Sequence, residues 1–243
     1  MIVWKFKSFV GDGLMHILQM LSRSQIYMAT PSQLNDINEG RWIHVNEGHT
    51  GDLDAEWGQP PSVDFLQQVG EVNNKILEYR ITSFCSKATV TDPLMWGHYA
   101  GGSNGVAIAY DLSNVDPNRI HEVQYEGVPV ICRSEFASSR DKVEFLINKG
   151  VLRSKEPCWK TEGEVRILKA PGEIINGCGD ECFMSLDPKA IVIGCKEPSP
   201  HWNIFSSISH QFEIPFGFLC ANSRSNHGFH VLSQEPFFNE FDE

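Results

Sequence analysis

The chain opens on alternating chemistry. In "IVWKFKSF", Ile2 to Phe9, Lys5 and Lys7 punctuate β-branched and aromatic residues, which predicts a strand ended by Gly11-Asp12-Gly13. The period then changes, with Leu14, Ile17, Leu18 and Leu21 recurring at helical spacing. "QIYMAT" reads as a short strand closed by Pro31. "SQLNDINEG" reads as a turn-rich segment whose Asn35 and Asp36 can bond their own backbone. Residues from His44 to Pro61 are rich in Gly, Asp and His and predict an exposed loop. A second amphipathic helix follows in "VDFLQQVGEVNNKILEY", with Ser62 or Asp64 near its start.

The second half continues the mixture. "RITSFCS" predicts a strand, "DPLMWGHYA" a short helix opened by Asp-Pro, and "VAIAYDL" a buried strand after the break at "GGSNG". A helix is expected over Arg140–Lys149, and then a strand over "CWKTEGEVRIL", Cys158 to Leu168. With a two-residue period that strand carries Lys160, Glu162, Glu164 and Arg166 on one face, and Trp159, Thr161, Gly163, Val165 and Ile167 on the other. Such a row is either a solvated face or the working edge of a site. "DPKAIVIG" repeats a helix start followed by a strand, and the last 40 residues show no clear pattern. Strands and helices mix without regular βαβ alternation, so the expected class is α+β. No linker divides the chain, and one domain over residues 1–243 is expected.

Composition narrows the partners. The formal charge is −11, from 31 acidic and 20 basic residues. That lacks the basic footprint of most duplex-binding proteins, yet leaves room for a local basic groove. Seven scattered cysteines do not suit a disulfide framework and point to a reducing cytoplasm. No apolar run of about 18 residues and no secretory start are present, so neither a membrane span nor a signal peptide is expected.

The candidate chemistry is spread out. Cys178 and Cys182 stand four apart, with Cys195 and Cys220 further on, but no second short pair completes a zinc knuckle, so no metal is expected. No Gly-x-Ser-x-Gly elbow is present. "GGSNG" is a phosphate cradle or, since a strand follows, an ordinary turn. Trp96 and Tyr99 share a helix face, as core residues or as an aromatic wall for a flat ring with His98 on its rim. The hydroxyls around Ser83, and the group Asn35, Asp36 and Glu39, fit either ligand contacts or ordinary strand-end and turn chemistry.

Taken in order, "WKFKSF", "LNDINEG", "SFCS", "LMWGHYAGGSNGVAIAYDL" and "CWKTEGEVRIL" with Lys155 before it form a recognisable series. It resembles an uncharacterised bacterial and phage family related to the abortive-infection proteins of the AbiGi type. The family's pattern runs Tyr-Lys-Tyr, Asn-Asp-Pro-Phe-Glu, Cys-Phe-Ser, Met-Trp-x-His-Tyr and Lys-x-x-x-Trp-x-x-Glu-x-Glu-x-Arg. The resemblance spans residues 2–194; residues 195–243 are an extension or the last strands. Ile37 and Asn38 stand where the family has Pro and Phe, and the order here is Phe-Cys-Ser.

This layout is similar to the ADP-ribosyltransferase fold, a split sheet with flanking helices. The resemblance implies NAD as substrate, and an acceptor that is nucleic acid or protein. A non-catalytic antitoxin, immunity or counter-defence factor that meets a basic partner is the alternative. Carried over by position, Glu164 or Glu162 would be catalytic. Lys5, Lys7, Asn35, Ser83, Trp96, His98, Tyr99 and Arg166 would hold the cofactor. This chain has Lys on the first strand, where those enzymes commonly have Arg or His, and so lacks a planar bidentate fork there.

Overall fold

The computed structural model describes residues 1–36, 38–45, 61–173, 182–194, 201–221, 229–233 and 237–238. In chain order the elements are β1 (Ile2–Ser8), α1 (Gly13–Arg23), β2 (Gln25–Tyr27), β3 (Ile43–Val45), α2 (Val63–Leu77), β4 (Arg80–Ser86), α3 (Pro93–Tyr99) and β5 (Gly105–Asp111). They continue with β6 (Ile120–Glu122), β7 (Val130–Cys132), α4 (Arg133–Ser138), α5 (Lys142–Asn148), β8 (Glu164–Lys169), β9 (Phe183–Ser185), β10 (Pro188–Gly194), α6 (His201–Phe212), β11 (Phe216–Ala221) and β12 (Phe229–Leu232). The protein is therefore α+β, as the mixed pattern predicts.

Eight strands form one sheet in the order β12-β11-β10-β5-β1-β4-β8-β6, with β10 and β11 parallel and all other neighbours antiparallel. Apolar clusters cover both faces. Val3, Ile17, Leu21, Phe84, Ile108 and Phe205 pack on the α1 side, and Trp4, Phe6, Met95, Trp96 and Ala107 on the α3 side. A third cluster joins Val72, Ile76, Phe136, Leu146 and Leu168 beneath α2 and α5. Helix starts follow their capping residues. Ser62 accepts from the Phe65 N–H and Asp92 from Leu94 behind Pro93, while Asp141 accepts from Val143 and Glu144. Among the described residues no helix is long and apolar enough to cross a membrane.

One irregularity positions everything that follows. β1 pairs with β5 along all seven of its residues, and β4 pairs with β8 over six. β1 and β4 themselves pair only at Val3–Ser86 and Trp4–Cys85, and then separate. Buried backbone groups must find partners, and along β4 Ala29 supplies them. Its N–H and C=O exchange bonds of 2.8 and 2.7 Å with Ile81. The sheet is split between β1 and β4, and the gap is a cleft.

Two expectations fail here for local reasons. "CWKTEGEVRIL" is not one strand: Pro157–Glu162 is a 3₁₀ helix, and β8 begins only at Glu164. Pro157 sits at the helix start, where its missing N–H costs nothing. Gly163 then turns the chain with φ +50°, and a Cβ there would lie 2.7 Å from Ser86 Oγ. The charged row is consequently broken, and Lys160 is exposed on the 3₁₀ turn. "DPKAIVIG" has no helix; Pro188 opens β10 directly. Within the expected loop His44–Pro61, His44 and Val45 belong to β3, paired with β7, and residues 46–60 lie outside the described residues. Cys178 and Cys195 of the weighed zinc set also lie outside them. β11 and β12, from the stretch without a clear pattern, extend the main sheet beyond β10.

Candidate functional site

The cleft between β1 and β4 encloses about 620 Å³. Its lining includes Lys5, Lys7, Asn35, Ser83, Tyr99, Glu162 and Glu164, seven of the ten residues picked from the sequence. Five elements bring them together: β1, the turn after Pro31, β4, α3 and the Gly163 corner into β8. Glu162 ends the 3₁₀ turn and Glu164 starts the strand, so the two carboxylates meet the cleft from either side of a left-handed glycine.

Both carboxylates are buried, Glu162 at 4% and Glu164 at 5% exposure, and both belong to one ladder of charges. Tyr99 donates its hydroxyl to Glu162 Oε1. Lys155 Nζ donates to Glu162 Oε2 at 2.6 Å and to Glu164 Oε2 at 3.1 Å. Arg166 donates from Nε to Glu164 Oε1 at 2.7 Å and from Nη2 to Oε2 at 3.3 Å. The outer edge of the same guanidinium grips Glu39 in two bonds, of 2.7 Å from Nη1 and 2.6 Å from Nη2, and Nη1 also reaches the Leu152 carbonyl at 2.8 Å. Three carboxylates face two cations, so the ladder carries one net negative charge next to the cleft.

Protonation follows from this wiring. Burial alone would raise the Glu164 carboxyl, but Arg166, Lys155 and the Ser83 hydroxyl outweigh it and hold it down at about 2. Burial would lower Lys155, and its two carboxylate neighbours win and raise it. Burial pushes the Glu39 carboxyl up against the pull of Arg166. Burial and the bond to Glu162 push the Tyr99 phenol up, which keeps it a donor. Burial also raises the Cys85 thiol, which sits on β4 opposite Glu164 of β8 and is no thiolate at neutral pH.

The first strand differs. Lys5 Nζ reaches across the split, donating to Thr82 Oγ1 at 3.0 Å and to the Ser83 carbonyl at 2.8 Å, and lies 5.2 Å from the centre of the Phe84 ring. Burial, and next the charge on Lys7, lower it to about 7. Lys7 is also lowered by burial, and its Nζ makes no hydrogen bond or ion pair among the described residues.

Three predicted site residues stand elsewhere. Trp96 is no wall of the cleft; it is fully buried under α3, donating to the Val90 carbonyl at 2.7 Å and packed against Gly194. Helical spacing puts Trp96 and Tyr99 on related faces, but only Tyr99, at the helix end, reaches the gap. His98 is exposed, edge-on to Trp159 at 5.9 Å, and outside the lining. Arg166 is 1% exposed and acts behind Glu164 instead of meeting a ligand. In exchange the structure adds Lys155 and Glu39, one quoted as a motif residue and the other weighed as part of a turn. Glu39 meets Arg166 from 127 residues away, and Lys155 reaches Glu164 by folding back over the 3₁₀ turn, so neither pairing leaves a trace in local periodicity. No family model matches the chain, and no curated protein or solved structure matches it.

Proposed function

We propose that the chain is an ADP-ribosyltransferase-like enzyme that consumes NAD, a toxin or defence effector in conflict between phage and bacterium. The observation that carries this reading is the split between β1 and β4, which sets Glu162, Glu164, Tyr99, Lys5 and Lys7 around one cleft. Breaking the bond between nicotinamide and ribose builds positive charge on the sugar. A fixed anion in a water-poor cleft stabilises that charge most. Glu164, ionised down to about pH 2, is that fixed anion. Glu162 receives one bond on each oxygen and keeps lone pairs for an acceptor hydroxyl or amine, whose proton it takes. Lys7, whose Nζ has no partner among the described residues, supplies positive charge for the pyrophosphate. The acceptor is nucleic acid or protein.

The occupancy of Glu164 favours a second reading, that of a non-catalytic binder with the same cleft. Both of its oxygens are already claimed by Arg166 and Lys155, and the −11 charge suits a basic partner. Nicotinamide release from NAD, followed with and without single-stranded DNA, RNA and cell lysate, separates the two. The enzyme reading expects release that falls by about 10²-fold or more in both Glu162→Gln and Glu164→Gln. Absence of both NAD binding and release, or release that survives both substitutions, would sink it.

A further inference from the structure

Lys5 is a poor fixed cation and a well-placed amine. A neutral amine has two N–H groups and one lone pair. Thr82 Oγ1 and the Ser83 carbonyl accept from Nζ, which two N–H groups can supply, and the centre of the Phe84 ring lies 5.2 Å away. No carboxylate pairs with Lys5 among the described residues, although Glu162 and Glu164 line the same cleft. Lysines are made nucleophilic by desolvation and by a neighbouring cation, and Lys5 has both, the cation being Lys7 two residues along the same face of β1. Lys7, His16 and Gln19 also line the cleft, so an anionic group has polar and cationic contacts within it.

We propose that Lys5 is a covalent capture site for a small carbonyl compound bearing an anionic group, with the ε-amine forming an imine and Lys7 meeting the anion. The Nζ lone pair adds to the carbonyl carbon and one N–H proton passes to the oxygen, giving a carbinolamine. The second N–H proton and that hydroxyl then leave as water, and the C=N bond forms without any change in oxidation state. The step is reversible and needs no other reactant. It is independent of whether NAD is the substrate of the cleft.

The test uses the intact native chain with glyoxylate as the anionic carbonyl and acetaldehyde as the neutral one. Imines are fixed by cyanoborohydride and mapped by peptide mass spectrometry. An amine titrating at about 7 is roughly half free base at pH 7, against about 0.03% for an ordinary lysine. Glyoxylate is therefore expected to label Lys5 about ten-fold faster or more than exposed Lys160, with a pH midpoint near 7. Burial sets that midpoint first, and the groups facing the amine are Lys7 on β1, which lowers it, Glu164 on β8, which raises it, and the neutral Cys85 thiol on β4. Labelling of Lys5 no faster than Lys160 overturns the assignment, and needs no variant that must fold. Lys7→Met removes both the anion contact and the repulsion that lowers Lys5, so labelling by both probes falls. The ratio of glyoxylate to acetaldehyde labelling is expected to fall several-fold, and an unchanged ratio removes the anion from the proposal.

Discussion

β5 and β8 are both buried strands, and they are built from opposite materials. Every residue from Gly105 to Tyr110 is buried, as is every residue from Glu164 to Lys169. β5 lies between β1 and β10 and spends its burial on Val106, Ala107, Ile108 and Ala109. β8 buries Glu164, Arg166 and Lys169 alongside its apolar residues. Hydrophobic burial is additive and tolerant of its surroundings, whereas a buried charge is stable only with specific partners in place. β8 therefore depends on specific charged partners outside the strand, Lys155 nine residues before Glu164 and Glu39 127 residues before Arg166, and β5 does not.

The comparison is broken most strongly at Arg166. Arg166→Met strips Glu39 and Glu164 of their shared cation, and is expected to cost ~3–5 kcal/mol in denaturant unfolding. The double variant Glu39→Met/Arg166→Met is expected to recover part of that loss, because one stranded carboxylate goes with its partner. A double variant as unstable as the single one would show that the packing of Arg166, and not its charge, sets the cost. In β5, Ile108→Ala is expected to cost ~2–5 kcal/mol, and no second substitution of a charged residue should recover it.

Acid sharpens the contrast. Glu164 is depressed from 4.5 to about 2, so its contribution to stability is complete above pH 4.5 and is lost as pH falls through 2. The gap in melting temperature between the native chain and Glu164→Gln should therefore close across that window. The gap to Ile108→Ala should stay nearly constant over the same range. A Glu164→Gln gap that does not change with pH would mean that the ladder does not hold Glu164 ionised. The smallest effect is expected at Tyr110, the polar tip within the buried run of β5, whose hydroxyl has no hydrogen-bond partner among the described residues. Tyr110→Phe should be neutral or stabilising by up to about 1 kcal/mol, since it removes a polar group that buries at a cost. A clear loss of stability would reveal a partner for that hydroxyl.

Much of the strand and helix order was legible because it is local. Alternation marks Ile2–Ser8 and Arg80–Ser86 as strands, which the structure buries on both faces, and helical spacing over Gly13–Arg23 and Val63–Leu77 buries one face of each helix. β12 and α6 were not legible, since Phe, Pro and Ser recur there without a clean period. The 3₁₀ turn at Pro157–Glu162 is not legible because Lys160 and Glu162 stand in register with Glu164 and Arg166, so the four charges read as one strand although the first two belong to the turn ended by Gly163. Trp96 and His98 were misassigned because motif spacing names a helix but not the side of it that the cleft touches.

By itself the sequence determined the α+β mixture, the positions of most elements and the presence of unusual charges around Glu162–Arg166. Those follow from periodicity, capping and turn chemistry, which act over a few residues. Only the tertiary structure decided what those charges are. β1 parts from β4 after two residue pairs, and Ala29 takes up the released backbone of β4. Glu39, 127 positions away, completes Arg166. The low dielectric of the interior then sorts charged side chains by their partners, holding Glu164 as an anion beside Arg166 and Lys155 and lowering Lys5, which has no carboxylate partner among the described residues, well below an ordinary lysine.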